Sequence, residues 1–140
     1  MTYVATKQKV HNRGIPPTGF LDELVAWGRV ADEEIFAPNS HDDVYSSVKS
    51  SLGPWKDGNH RRAVMLQVMR VLAGFESSWD WTAGVDVTNE SSITPDTIEA
   101  GAWQVSANSV NFGPELKVLV IKTIGSVDGA PWMEINSKPR

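Results

Sequence analysis

The chain has 140 residues, 41% of them apolar and 21% charged, with a net charge of −4 and no cysteine. This length and apolar content suit one globular domain with a proper core, and the lack of cysteine excludes disulfides, thiolate nucleophiles and cysteine metal sites. The acidic balance argues against a broad attraction to nucleic acid, while leaving room for a local basic patch.

No apolar run approaches the roughly 18 residues of a membrane-spanning helix, so no membrane insertion is expected. The opening Met-Thr-Tyr-Val-Ala-Thr-Lys lacks the charged-then-apolar pattern of a signal peptide. The expected location is therefore the cytoplasm, or the cell wall by an export route that reads no such peptide. The chain can equally be one domain of a longer protein. Residues 1–19 are polar and end in Gly14-Ile15-Pro16-Pro17-Thr18-Gly19, which reads as an extended arm before a single domain over 20–140.

From Phe20 the pattern turns helical, with Leu21, Leu24, Val25, Gly28 and Ala31 at helical spacing. Ala37-Pro38-Asn39 closes that segment. A second short helix is expected from Ser40 or His41 to Leu52, with Asp42 and Asp43 in its first turn, where negative charge suits the helix dipole. The longest pattern covers about residues 60–76. Gln67, Arg70 and Ser77 fall on one narrow polar stripe, and Val64, Met65, Val68, Met69, Val71, Leu72 and Phe75 cover most of the rest. A helix this apolar is expected at the centre of a domain. His60-Arg61-Arg62 reads as a solvated first turn.

Residues 77–93 read as a loop with brief β character at Val85-Asp86-Val87-Thr88. A helix start is expected at Ser92–Asp96, a helical turn through Ala100–Val105, and a last helix from Glu115 to about Thr123. The expected fold is mainly α, of the α+β kind, with five or six helices and little sheet.

Glu76 raises a chemical question. On the helical wheel its neighbours one and more turns back are Leu72, Met69 and Met65, which predicts that it leaves the helix on the buried face. Apolar surroundings, the negative end of the helix dipole and a nearby Asp80 or Asp86 would all disfavour its charged form. A carboxyl held protonated is what a general acid requires. Trp79 and Trp81 follow and bracket Asp80. Each ring can serve as core or as a platform for a sugar ring.

Glu76-Ser77 at a helix end, then a polar β-like loop, then Gly101-Ala102-Trp103-Gln104-Val105 resembles the lysozyme-like superfamily. The nearest pattern is that of lytic transglycosylases and goose-type lysozymes, and the similarity covers roughly residues 60–110. It implies a central buried helix, a small β or loop wall lining a cleft, and cleavage of β-1,4 bonds between amino sugars in bacterial peptidoglycan. Glu76 would be the general acid, Gln104 would line the cleft, and Ser77 would support Glu76. Asp86, in the expected β wall, is the favoured second carboxylate among Asp80, Asp86, Glu90, Asp96 and Glu99. A transglycosylase would need only Glu76. Asp80, Trp81, Trp103 and Asn89 complete the candidate substrate-binding set. The family's second motif is altered, because Ala102 and Trp103 replace its aliphatic and methionine.

No cofactor is expected. His11, His41 and His60 lack metal-ligand spacing, and Asp80, Asp86, Asn89 and Glu90 only faintly resemble a calcium loop. The expected partner is the polysaccharide, with a delivery machine and an immunity protein as the protein partners of an exported effector. Two other readings stay open: a chitosanase-like hydrolase of a cationic polymer, which would suit the acidic chain, and a lysozyme-like binding module with a dead site.

Overall fold

The computed structural model describes residues 6–38, 43–84, 88, 93–94, 96–114 and 117–118. The described residues are mainly helical, with one small two-stranded sheet. Contacts divide the chain into two compact units, Met1–Trp79 and Asp80–Arg140, where the pattern predicts a single domain over 20–140.

In the first unit, helix α1 (Thr18–Val30) buries Phe20, Leu21, Leu24, Val25 and Gly28, the face expected from its spacing. A 3-10 turn follows at Glu33–Phe36 and buries Phe36. Helix α2 (Val44–Leu52) starts at Asp43, whose carboxylate accepts from the Ser46 backbone N–H at 2.9 Å. Ser46 Oγ in turn accepts from the Asp43 N–H, which completes a reciprocal cap. Asp43, expected inside the first turn of a helix from Ser40 or His41, is instead the extended N-cap, and the helix begins at Val44; Ser40 and His41 lie outside the described residues.

Helix α3 (Gly58–Ser77) is the longest element, and it departs from expectation in its orientation. Its buried positions are Arg61, Val64, Arg70, Ala73 and Gly74, while Leu72 and Phe75 stand 48% and 44% exposed. In the C-terminal turns the covered side holds Arg70, from the stripe expected to be polar, with Ala73 and Gly74, whereas nearer the start of the helix Val64, from the expected apolar set, is buried. Two partners cover the Arg70 side. The segment before α1 is folded rather than extended: Val10 is buried and bridges Gly14, and the Gln8 carbonyl accepts from Arg70 Nη1 at 2.8 Å. From the other end, Trp79 turns back along the helix.

That return ends α3. Ser78 and Trp79 both take positive φ, 57° and 65°, and the Trp79 N–H bonds the Ala73 carbonyl at 3.1 Å. Two non-glycine residues there cost about 2–4 kcal/mol. Burying an indole of about 150–250 Å² returns on the order of 4–6 kcal/mol. Trp79 is 7% exposed, and its indole N–H also donates to the Arg70 carbonyl at 2.8 Å. The ring lies flush on Gly74, where an added Cβ would meet Trp79 Cζ2 at 2.7 Å. Trp79 is therefore a core residue.

The basic cluster at the start of α3 is structural, not solvated as expected. Arg61 is buried, and its Nε donates to the Phe36 carbonyl at 2.8 Å. Its guanidinium stacks 3.6 Å from the Tyr45 ring centre and lies 3.6 Å from the Asp43 carboxylate. Arg62 donates to the Gly28 and Ala31 carbonyls, which satisfies the open end of α1, and covers the Phe36 ring at 4.3 Å. Two adjacent arginines thus tie α1, the 3-10 turn and α2 to one helix.

In the second unit, strands β1 (Glu99–Ala100) and β2 (Val105–Ser106) pair antiparallel, with Glu99 opposite Ser106 and Ala100 opposite Val105. The sequence expected a helical turn here. Gly101 at φ 74° and Gln104 at φ 48° turn the chain back instead, and residues 101–104 form a four-residue hairpin loop. The expected helix start near Asp96 is an isolated turn, in which the Thr97 N–H donates to Thr94 Oγ1 and the Ile98 N–H to the Thr94 carbonyl. A 3-10 helix follows at Ala107–Phe112. Pro114, Lys117 and Val118 have helical backbone, and the rest of the expected last helix lies outside the described residues.

Two predictions follow from the caps. Gly74→Ala should destabilise the protein by about 1–3 kcal/mol in urea unfolding, because the methyl group collides with a ring held by its N–H bond to the Arg70 carbonyl; unchanged stability would mean that Trp79 does not lie on Gly74. The Ser46 backbone hydrogen bond, then the Ser46 hydroxyl, the Tyr45 N–H and Arg61, outweigh partial burial and hold the Asp43 carboxyl below its ordinary value of 3.8. A depressed folded pKa gives stability that is present above the unfolded value and lost as pH falls through the folded one. Asp43→Ala should therefore cost about 1 kcal/mol at neutral pH, with the deficit shrinking only below pH 3.8.

Candidate functional site

Glu76 lies in the last turn of α3 and is exposed, which corrects the expectation of a buried carboxyl. Its wheel neighbours are as expected, but Leu72 is itself half uncovered and Met69 and Met65 are only half-buried. The apolar enclosure expected around the carboxyl is absent because α3 packs on its opposite side. What surrounds Glu76 is an open apolar face ending in a carboxylate. Ser77 follows, and its hydroxyl donates back to the Ala73 carbonyl at 3.2 Å, a bond within the helix.

The remaining described candidates belong to the second unit. Asp80 Oδ1 accepts from both the N–H and the hydroxyl of Thr82 at 2.8 Å, which sets a turn just after the return of Trp79. Trp81 is 39% exposed and meets Trp103 edge to face, with ring centres 5.1 Å apart. Trp103 stands in the hairpin loop, and the loop is fastened to the Trp81 segment by the Gly101 N–H donating to the Ala83 carbonyl at 2.7 Å. The aromatic pair is thus held by backbone on both sides.

Gln104, next to Trp103, is only 6% exposed. Its Nε2 donates to the Gly101 carbonyl at 2.9 Å, and its Oε1 is buried with no hydrogen-bond partner among the described residues. A buried amide oxygen without a donor costs about 1–3 kcal/mol, and its backbone sits in a left-handed conformation as well. Costs of this kind gather where a structure is shaped for something other than its own stability. The structure brings Trp81, Trp103 and Gln104 together. Asp86 and Asn89 lie outside the described residues.

One feature escaped sequence reasoning altogether. A cavity of about 550 Å³ opens at the N-terminal end of α3, lined among others by Glu33, Glu34, Phe36, Trp55, Lys56 and Arg62. Glu76 is 18 residues further along the helix, roughly 27 Å at the usual rise. The cavity has the size of a small-molecule site. Its lining comes from two stretches distant in sequence, residues 33–38 and 55–62, so no local motif marks it. Behind it, Tyr45 packs edge-on against Trp55 with ring centres 5.4 Å apart, and its hydroxyl is buried without a partner.

The strain at Gln104 can be tested on the backbone alone. Gln104→Gly and Gln104→Ala both remove the amide, but only glycine accepts the positive φ freely. The glycine variant should be the more stable by about 1 kcal/mol, as read from thermal unfolding; the reverse order would deny the left-handed conformation. No protein-family model, curated protein or solved structure matches the chain.

Proposed function

We propose that the protein is a glycosidase that cleaves β-1,4 bonds of bacterial peptidoglycan, as a muramidase or a lytic transglycosylase, with Glu76 as the general acid. The observation that carries the reading is the partly exposed Trp81–Trp103 pair, fastened by backbone in the hairpin loop. An exposed indole offers a flat apolar face to a sugar ring. Glu76, in the last turn of the longest helix, has a side chain that solvent and a polymer can both reach.

In this reading Glu76 protonates the glycosidic oxygen as the bond to the anomeric carbon breaks. Water completes the reaction in a muramidase, activated by a second carboxylate, for which Asp86 is the candidate. In a transglycosylase the sugar's own hydroxyl attacks instead and leaves an anhydro ring. Ser77, Asp80 and Asn89 would shape the surroundings. No helix of the described residues is long and apolar enough to cross a membrane. The lysozyme-like assignment, export by a non-classical route, a delivery machine and an immunity protein belong to the same proposal.

The cavity at the start of α3 favours a second reading, a binding module whose ligand sits between Trp55 and the 3-10 turn. The two readings separate on digestion of purified peptidoglycan and of chitosan by the protein and by Glu76→Gln, with products read by mass spectrometry. The glycosidase reading expects hydrated or anhydro muropeptides from the wild type and a loss of at least about 100-fold in the variant. Full activity in Glu76→Gln would remove Glu76 from the chemistry. Inactivity on both polymers would favour the binding module.

A further inference from the structure

The folded segment before α1 carries Lys7, Lys9 and Arg13, and the first acidic residue of the chain is Asp22. The whole chain is at −4 and this segment is at +3, which leaves −7 on the remainder. All three side chains are exposed, and none forms an ion pair with a described carboxylate. This short segment therefore carries a local excess of positive charge, with no described carboxylate paired to it, in a protein that is acidic as a whole.

The segment is fixed in place. Val10 is buried, Val10 N–H donates to the Gly14 carbonyl at 2.7 Å, and the Arg70 clasp holds Gln8. Arg13 lies over the Phe75 ring, 5.2 Å from its centre, and Phe75 immediately precedes Glu76. A guanidinium stacked on a half-exposed ring keeps its hydrogen-bond donors for another partner. The basic segment thus lines the last turns of α3, within the same compact unit as Glu76.

We propose that Lys7, Lys9 and Arg13 form an anion-binding surface that takes the carboxylates of an acidic glycan, so that the protein selects an anionic amino-sugar polymer over a neutral or cationic one. This rests on the glycan reading above and decides its substrate class. Acidic charge elsewhere repels a polyphosphate duplex, whereas a glycan with spaced carboxylates can meet the basic segment locally.

The test measures binding, not turnover, on Glu76→Gln protein. The probes are soluble peptidoglycan fragments with free peptide carboxylates, the same fragments amidated, neutral chitin oligosaccharides and a DNA duplex. The free-carboxylate fragments should bind about tenfold more tightly than the amidated ones, as three exposed pairs allow. That preference should fade as salt rises from about 50 to about 500 mM. Lys7→Gln/Lys9→Gln leaves the Arg13–Phe75 contact intact and should lose part of the preference, and adding Arg13→Gln should abolish it. Circular dichroism confirms that each variant is folded.

Equal binding of free and amidated fragments, a preference that survives in the triple variant, or equally tight binding of DNA would each overturn the proposal. Selective binding in a protein that cleaves nothing would sink the cleavage reading and leave this one standing. Cleavage without selectivity would do the opposite. Binding to none of the glycans would end both.

Discussion

The first unit is organised by the return of Trp79 onto α3. Laying the indole on Gly74 and donating its N–H to the Arg70 carbonyl requires two consecutive left-handed residues, and these stop the helix at Ser77. Covering that side of α3 leaves the opposite side, with Leu72 and Phe75, open. The exposure of Glu76 is thus a consequence of where one tryptophan packs. The same helix carries Arg61 and Arg62 at its other end, where they hold the 3-10 turn and the end of α1 through backbone carbonyls. Carbonyl acceptors suit buried arginines, because they satisfy the donors without a second buried charge.

Much of the architecture was legible in the sequence. The apolar spacing from Phe20 and the long run to Glu76 place the start of α1 and the whole of α3 within a few residues, and the end of α2 at Leu52 is as expected, but α1 stops at Val30 rather than running on to Ala37 and α2 begins after Asp43 rather than before it. The orientation of α3 was not legible. A wheel shows which residues share a face, but the covering of that face is decided by residues distant in sequence, here Gln8 and Trp79. The basic cluster at residues 60–62 misleads for a related reason: an arginine that fills its donors with carbonyls has the same local sequence as a solvated one. The hairpin at 99–106 was missed because Gly101 and Gln104 take positive φ, which glycine announces and glutamine does not.

The candidate site divides in the same way. The Gly-Ala-Trp-Gln motif singled out Trp103 and Gln104, and these two positions carry the aromatic pair and the unpartnered amide oxygen. Glu76 was found for its position at a helix end, but the burial expected to tune it is missing. The apolar enclosure a general acid requires is thus not supplied by the packing of α3. On the proposed reading, the basic segment against the last turns of α3 would give an anionic glycan a place to anchor and would link the charge imbalance of the chain to its chemistry.

The central claim is that a glycan contacts the Trp81–Trp103 surface. The most direct measurement follows the indole N–H resonances of the six tryptophans by NMR, assigned by single Trp→Phe variants, as soluble peptidoglycan fragments are added. The account predicts shifts at Trp81 and Trp103 while Trp79, sealed against α3, stays still. Shifts confined to Trp55, beside the cavity at the start of α3, would contradict it and place the ligand elsewhere.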